Sequence, residues 1–136
     1  MWWIYALLAA AFAALTAVFA KVGIKGIDTN LATAIRTVVI LILAWGIVLF
    51  KGNSSIAGLN KTNWIFLILS GCATGLSWIF YFKALQIGKV SQVAPVDKLS
   101  VALAIILSVV FLKEPLTLKS ASGALLIIAG TLVLIF

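Results

Sequence analysis

Residues 31–50 read LATAIRTVVILILAWGIVLF. Nineteen of these twenty residues are uncharged, and Arg36 is the exception. At about 1.5 Å rise per residue, twenty helical residues reach about 30 Å, the thickness of a bilayer's hydrocarbon core. The stretch is too long and too uniformly apolar for a buried strand, and it lacks the alternating polarity of a membrane strand. It therefore reads as a transmembrane helix. Working outward, four more runs have the same character: residues 2–20, 64–85, 92–112 and 120–136. Polar connectors of 6 to 13 residues separate them.

Composition agrees. The chain has 136 residues, 65% hydrophobic and only 10% charged. A soluble domain carries about a quarter charged residues and needs them to cover its surface. The fold class is all-α integral membrane, with five transmembrane helices. The first run lacks a basic leader segment and is long enough to span, so it reads as a retained helix with Trp2, Trp3 and Tyr5 as an aromatic belt. The net charge of +7 does not point to nucleic acid, because the basic residues fall singly at the ends of apolar runs. The chain has no His and a single cysteine, Cys72, so no metal site, disulfide or cofactor is indicated. No nucleophile motif or phosphate-binding glycine loop suggests an enzyme.

With five spans, alternate connectors share a side of the membrane. Lys21, Lys25, Lys83 and Lys89 fall on one side, and Lys51, Lys61, Lys113 and Lys119 on the other. Lys/Arg bias normally sets orientation. An even tally is what a chain inserting both ways up would carry, although Arg36 and Lys98 tip it slightly toward the first side.

Polar residues inside the spans mark a candidate site, because hydrocarbon penalises them. Helical spacing groups them into stripes. Ser70, Thr74, Ser77 and Tyr81 form one on the third run, beside Trp78. Asp97, Ser100, Ala104 and Ser108 form another on the fourth. Asn30, Thr33, Arg36 and Thr37 share a face near the start of the second. Back-bonding of hydroxyls to their own helix would account for any one stripe. Three stripes together with Arg36, Asp97 and Lys98 favour a polar cavity lined by the first four helices, with the fifth outside it. Arg36 and Asp97 are natural partners, and Asp97 with Lys98 could also meet substrate. Snorkelling of Arg36 and a structural ion pair at Asp97 remain the simpler readings. Pro95 lacks an N–H, so it starts or bends the fourth helix. Gly71 and Gly75 form a GxxxG on the third run, and Gly123 and Gly130 lie on one face of the fifth.

These residues also carry a resemblance. The chain resembles the EamA, or drug/metabolite transporter, superfamily, in its five-helix, single-unit form. The resemblance rests on Arg36, the run Ala94-Pro95-Val96-Asp97-Lys98-Leu99-Ser100, the turn Leu112-Lys113-Glu114-Pro115-Leu116, and residues 123–130, GALLIIAG. It implies one such unit over residues 1–136. Larger relatives fuse two units in inverted orientation, so a single unit implies an antiparallel homodimer. It also suggests that the Gly123 and Gly130 face packs between units, as in small multidrug resistance proteins. Those proteins use a membrane-embedded Glu in helix one, and helix one here has no acidic residue.

The expected function is secondary transport of a small metabolite by alternating access in a homodimer, in the inner membrane of a prokaryote. Arg36 and Lys98 against one Asp97 favour an amino-acid-like, anionic or zwitterionic substrate. The substrate-binding set would be Arg36, Ser70, Thr74, Ser77, Trp78, Tyr81, Asp97, Lys98 and Ser100, with membrane lipids as the other partner. A proton-coupled exporter of lipophilic cations is the alternative, with Asp97 as exchange site and Trp45, Trp78, Tyr81 and Phe82 as aromatic contacts. A non-transporting accessory membrane subunit is a third possibility.

Overall fold

The computed structural model describes residues 1–52 and 56–136. Residues 53–55 of the second connector lie outside the described set. Helix α1 runs over Trp2–Gly23, α2 over Thr29–Lys51 and α3 over Lys61–Ile87. The fourth run is divided into α4, Val90–Asp97, and α5, Leu99–Phe111. The last helix, α6, covers Leu118–Ile135. A short 3₁₀ turn at Ile56–Gly58 precedes α3. Taking α4 and α5 as one span of 22 residues, the described chain has five helices long and apolar enough to cross a membrane. No strand occurs among the described residues.

Most helices run a few residues beyond the apolar stretches, because caps end a helix and hydrocarbon does not. Asp28 caps α2, its Oδ1 accepting from the Asn30 and Leu31 N–H groups at 2.9 and 3.0 Å. Gly52 closes the same helix in the left-handed conformation, φ 68°, with its N–H donating to Leu49 O at 3.2 Å. Asn60 Oδ1 accepts from the Asn63 N–H at the head of α3. Thr117 and Ser120 form a reciprocal capping box for α6, each hydroxyl accepting from the other's N–H at 3.1 Å. The third connector is therefore only Gly88-Lys89, and Lys83 lies inside α3.

The described chain has two compact units, Phe19–Gln86 and Met1–Val18 with Ile87–Phe136. In the first, the end of α1 and the loop after it dock against the end of α3. Ile24 and Leu85 are buried there at 2% and 0% exposure. Lys21 Nζ donates to the Leu85 carbonyl. A cation on the last carbonyls of a helix satisfies groups that have no intrahelical donor and opposes the negative end of its dipole. Gln86 Nε2 donates to Ile27 O at 2.8 Å. In the second unit, α6 packs on α5 and α4. Ala102 and Thr131 are buried there at 4% each.

Beyond these points little is buried. The buried apolar residues among those described are Ala17, Ile24, Phe82, Leu85 and Ala102. Large side chains such as Phe12, Ile42, Phe66, Leu107 and Val133 are more than half exposed. In water this surface would be prohibitive; lipid solvates it.

Candidate functional site

Arg36 lies seven residues into α2, roughly 10 Å along its axis from Thr29. Its guanidinium sits over the Trp78 ring at 4.3 Å and the Phe82 ring at 5.2 Å, both on α3. Trp78 and Phe82 are four residues apart, so they occupy successive turns of one face. Tyr81 continues the patch, its ring 6.4 Å from that of Phe82 and tilted by 42°. Phe82 is buried, while Arg36, Trp78 and Tyr81 are half-buried. Aromatic faces attract a cation through the ring quadrupole, by about 2 kcal/mol where water is excluded. Among the described residues no acceptor takes an Arg36 N–H. A guanidinium stacked by its face keeps its N–H donors in the plane at its edge, a fork that matches a carboxylate or phosphate.

On either side of Arg36 along α2 the hydroxyls donate to their own helix. Thr33 Oγ1 donates to Thr29 O and Thr37 Oγ1 to Thr33 O, both at 2.8 Å. Thr74 Oγ1 likewise donates to Ser70 O on α3 at 2.9 Å. Ser70, Thr74 and Ser77 are exposed. The glycines of the GxxxG are open too: a Cβ built on Gly71 or Gly75 would meet nothing within 4 Å. The third-run stripe therefore separates into a lower hydroxyl part and an upper aromatic part that holds Arg36. Trp45 lies nine residues beyond Arg36 on α2 and is 45% exposed.

The second group of polar residues lies at the division between α4 and α5. Pro95 sits inside α4, and the helix gives way at Lys98, roughly 12 Å into the span. Across the break the bonds shorten to three-residue steps: Lys98 N–H to Pro95 O, and Val101 N–H to Lys98 O, both 3.0 Å. The Pro95 carbonyl also accepts from Thr131 Oγ1 of α6 at 3.2 Å. That hydroxyl is shared with Ile127 O at 2.8 Å on its own helix. Side chains that re-satisfy disturbed backbone are what make a broken helix tolerable in lipid. Sequence reasoning left α6 outside the polar region, and Thr131 brings it into contact with the break. The signal was present, since Thr131 is a polar residue well inside an apolar run.

At the break, Lys98 Nζ lies 3.3 Å from Asp97 Oδ2. The Asp97 side chain is 35% exposed and that of Lys98 56%. Arg36 and Asp97, expected as partners, each have another: two rings for the one, Lys98 for the other. Ser100 is exposed at the head of α5, and Ser108 bonds back to Ile105 O at 2.9 Å. On α6, Gly123 and Gly130 have nothing within 4 Å of an added Cβ.

A five-span helical chain with an intramembrane arginine and a divided fourth span is an integral membrane protein of transporter type. It belongs to the EamA-like transporter family, whose pattern it matches over residues 1–136. It is 51% identical to a Sinorhizobium protein described as an uncharacterized transporter in the cobO 3′ region, over 98% of this chain and 95% of the relative. It is also 36% identical over 69 residues to an uncharacterized protein of Methanocaldococcus jannaschii, covering 51% of this chain and 50% of that one. No solved structure matches the chain.

Proposed function

We propose that the chain is one half of a homodimeric secondary transporter, moving a small metabolite with an anionic or zwitterionic group by alternating access. The observation that carries this reading is the Arg36 guanidinium, stacked on Trp78 and Phe82 with its edge donors open. An arginine held this way inside a span has its charge stabilised by aromatic faces and its fork free for a carboxylate. Transporters commonly place binding groups and a divided helix near the midplane, and α4–α5 with Asp97 and Lys98 supplies such a helix. An amino acid or organic anion would present a carboxylate for the Arg36 fork.

The homodimer is supported by the sparse burial of the single chain, the open Gly123 and Gly130 face, and the even distribution of lysines. Insertion in both orientations would let two identical chains form the antiparallel pair that the larger relatives achieve by fusion. A prokaryotic inner membrane is the proposed location, in keeping with the bacterial relative.

The cation-exporter alternative keeps one supporting observation, the partly exposed Asp97 at the helix break. Its aromatic contacts fit less well, because the faces of Trp78 and Phe82 already hold the protein's own cation. The deciding experiment is uptake into proteoliposomes across a panel of amino acids, organic anions and lipophilic cations. Arg36→Ala should abolish uptake while the dimer persists in cross-linking. Full uptake by that variant would remove Arg36 from the site. Proton-coupled cation export that depends on Asp97 and survives Arg36→Ala would establish the alternative instead.

A further inference from the structure

A cavity lies away from Arg36, at the membrane-edge end of the unit Phe19–Gln86. It has a volume of about 310 Å³ and is lined by Lys21, Ile24, Lys25, Gly26, Leu85 and Gln86. A water's share of liquid is about 30 Å³, so the space holds a group the size of a phosphate with its ester neighbours. Its floor is apolar, since Ile24 and Leu85 are the most deeply buried side chains lining it. Its rim is cationic: Lys21 at the end of α1 and Lys25 in the loop, with no carboxylate among the lining residues. Asp28, the nearest carboxylate in sequence, is engaged as the cap of α2.

The loop that carries Lys25 is fixed rather than free to fold away. Gln86 Nε2 bonds Ile27 O at 2.8 Å and reaches Ile24 O at 3.4 Å. Lys21 is anchored to the Leu85 carbonyl, which sets its ammonium at the cavity wall. Gly26 turns the loop there with φ 75°, a conformation glycine adopts without strain. An apolar floor beside the anchored Lys21 ammonium and the exposed Lys25, at the end of membrane helices, fits the chemistry of an amphiphile with an anionic head.

We infer that this cavity binds a phosphate-type anion, with a phospholipid headgroup or free phosphate as the two sources of that chemistry. The site is separate from Arg36 and does not depend on what is transported. Its apolar floor and interfacial position suit the lipid source.

The test uses the purified full-length chain in detergent, with native mass spectrometry of retained lipid. Phosphatidylglycerol should be retained over phosphatidylcholine, and Lys25→Gln should lower that retention about fivefold, as expected for loss of one interfacial cation. Lys25 is the residue to change, because Lys21 also holds the end of α3 and its loss could disturb packing. Lys61→Gln, at a different connector, is the control and should retain lipid like the parent. Phosphorus NMR of inorganic phosphate with the lipid-free chain separates the sources. Broadening that vanishes in Lys25→Gln would assign free phosphate as a ligand, and lipid retention without such broadening would assign the headgroup. Equal lipid retention by the parent, Lys25→Gln and Lys61→Gln, with no phosphate broadening, would overturn the inference.

Discussion

At the residue scale, the arrangement turns on how an arginine is kept in a span at all. A bare charge near mid-bilayer costs about 3 kcal/mol or more. Arg36 offsets this with two ring faces, Trp78 and Phe82, rather than with a carboxylate. The choice has a functional consequence, because a carboxylate would occupy the fork that rings leave open. Arg36→Lys keeps the charge and loses the planar fork, so KM in the uptake assay should rise about tenfold or more. Trp78→Leu keeps the fork but removes one stacking face. Uptake should weaken by about tenfold, with the chain still inserted and dimeric by cross-linking. If Trp78→Leu transports normally, the stack is packing and not positioning.

At the scale of elements, the fourth span is the unusual one. Pro95 lacks the N–H that the Ser91 carbonyl would accept, and the helix gives way three residues further on at Lys98, where the Thr131 hydroxyl of α6 meets the Pro95 carbonyl. Thr131→Val keeps the shape and removes the hydroxyl, so the Pro95 carbonyl retains only the Lys98 N–H. Interhelical hydrogen bonds in membranes contribute about 0.6 kcal/mol on average. The variant should unfold at slightly lower denaturant, and amides around residues 97–101 should exchange faster. Unchanged exchange there would mean the bond does not restrain the break. The connector after α5 offers a second test, of backbone strain. Lys113 adopts φ 55°, a left-handed conformation that disfavours a β-carbon by about 1–2 kcal/mol. Lys113→Gly should therefore raise stability by about 1 kcal/mol in the same denaturation experiment.

At the scale of the whole molecule, the question is what completes it. Most of each span is exposed in the single chain. Lipid accounts for that surface in part, and a second copy is the proposed remainder. Topology can be read with single cysteines in a Cys72→Ser background, Cys72 being exposed. Ile56→Cys in the second connector and Ile87→Cys at the third fall on opposite sides in any one orientation. Each should be labelled from both faces of intact cells in similar fractions. Removing Lys113 and Lys119 together should shift the population strongly toward one orientation. Strict one-sided labelling of the parent would replace the antiparallel pair with a parallel dimer or an accessory role.

The number of spans and their membrane setting were legible in the sequence, because twenty apolar residues in a row admit few solutions. Family membership was legible in the runs around Asp97 and Gly123 for the same local reason. Arg36 and Trp78 could each be picked out as costly or large residues in a span, but their stacking could not, since it depends on the rotation of α2 against α3. Periodicity also left open how the polar stripes are used. Thr33, Thr37 and Thr74 lie on plausible stripes, yet each hydroxyl bonds its own helix, an option that spacing alone cannot distinguish from a cavity. The place where the fourth span divides was likewise set by tertiary structure: Pro95 announced a weak helix, and only packing against α6 determined where the next carbonyl found its donor. Apolar length is a one-dimensional property and is written in the chain. Which side chain faces which is fixed by helix rotation and register, and those exist only once the helices have packed.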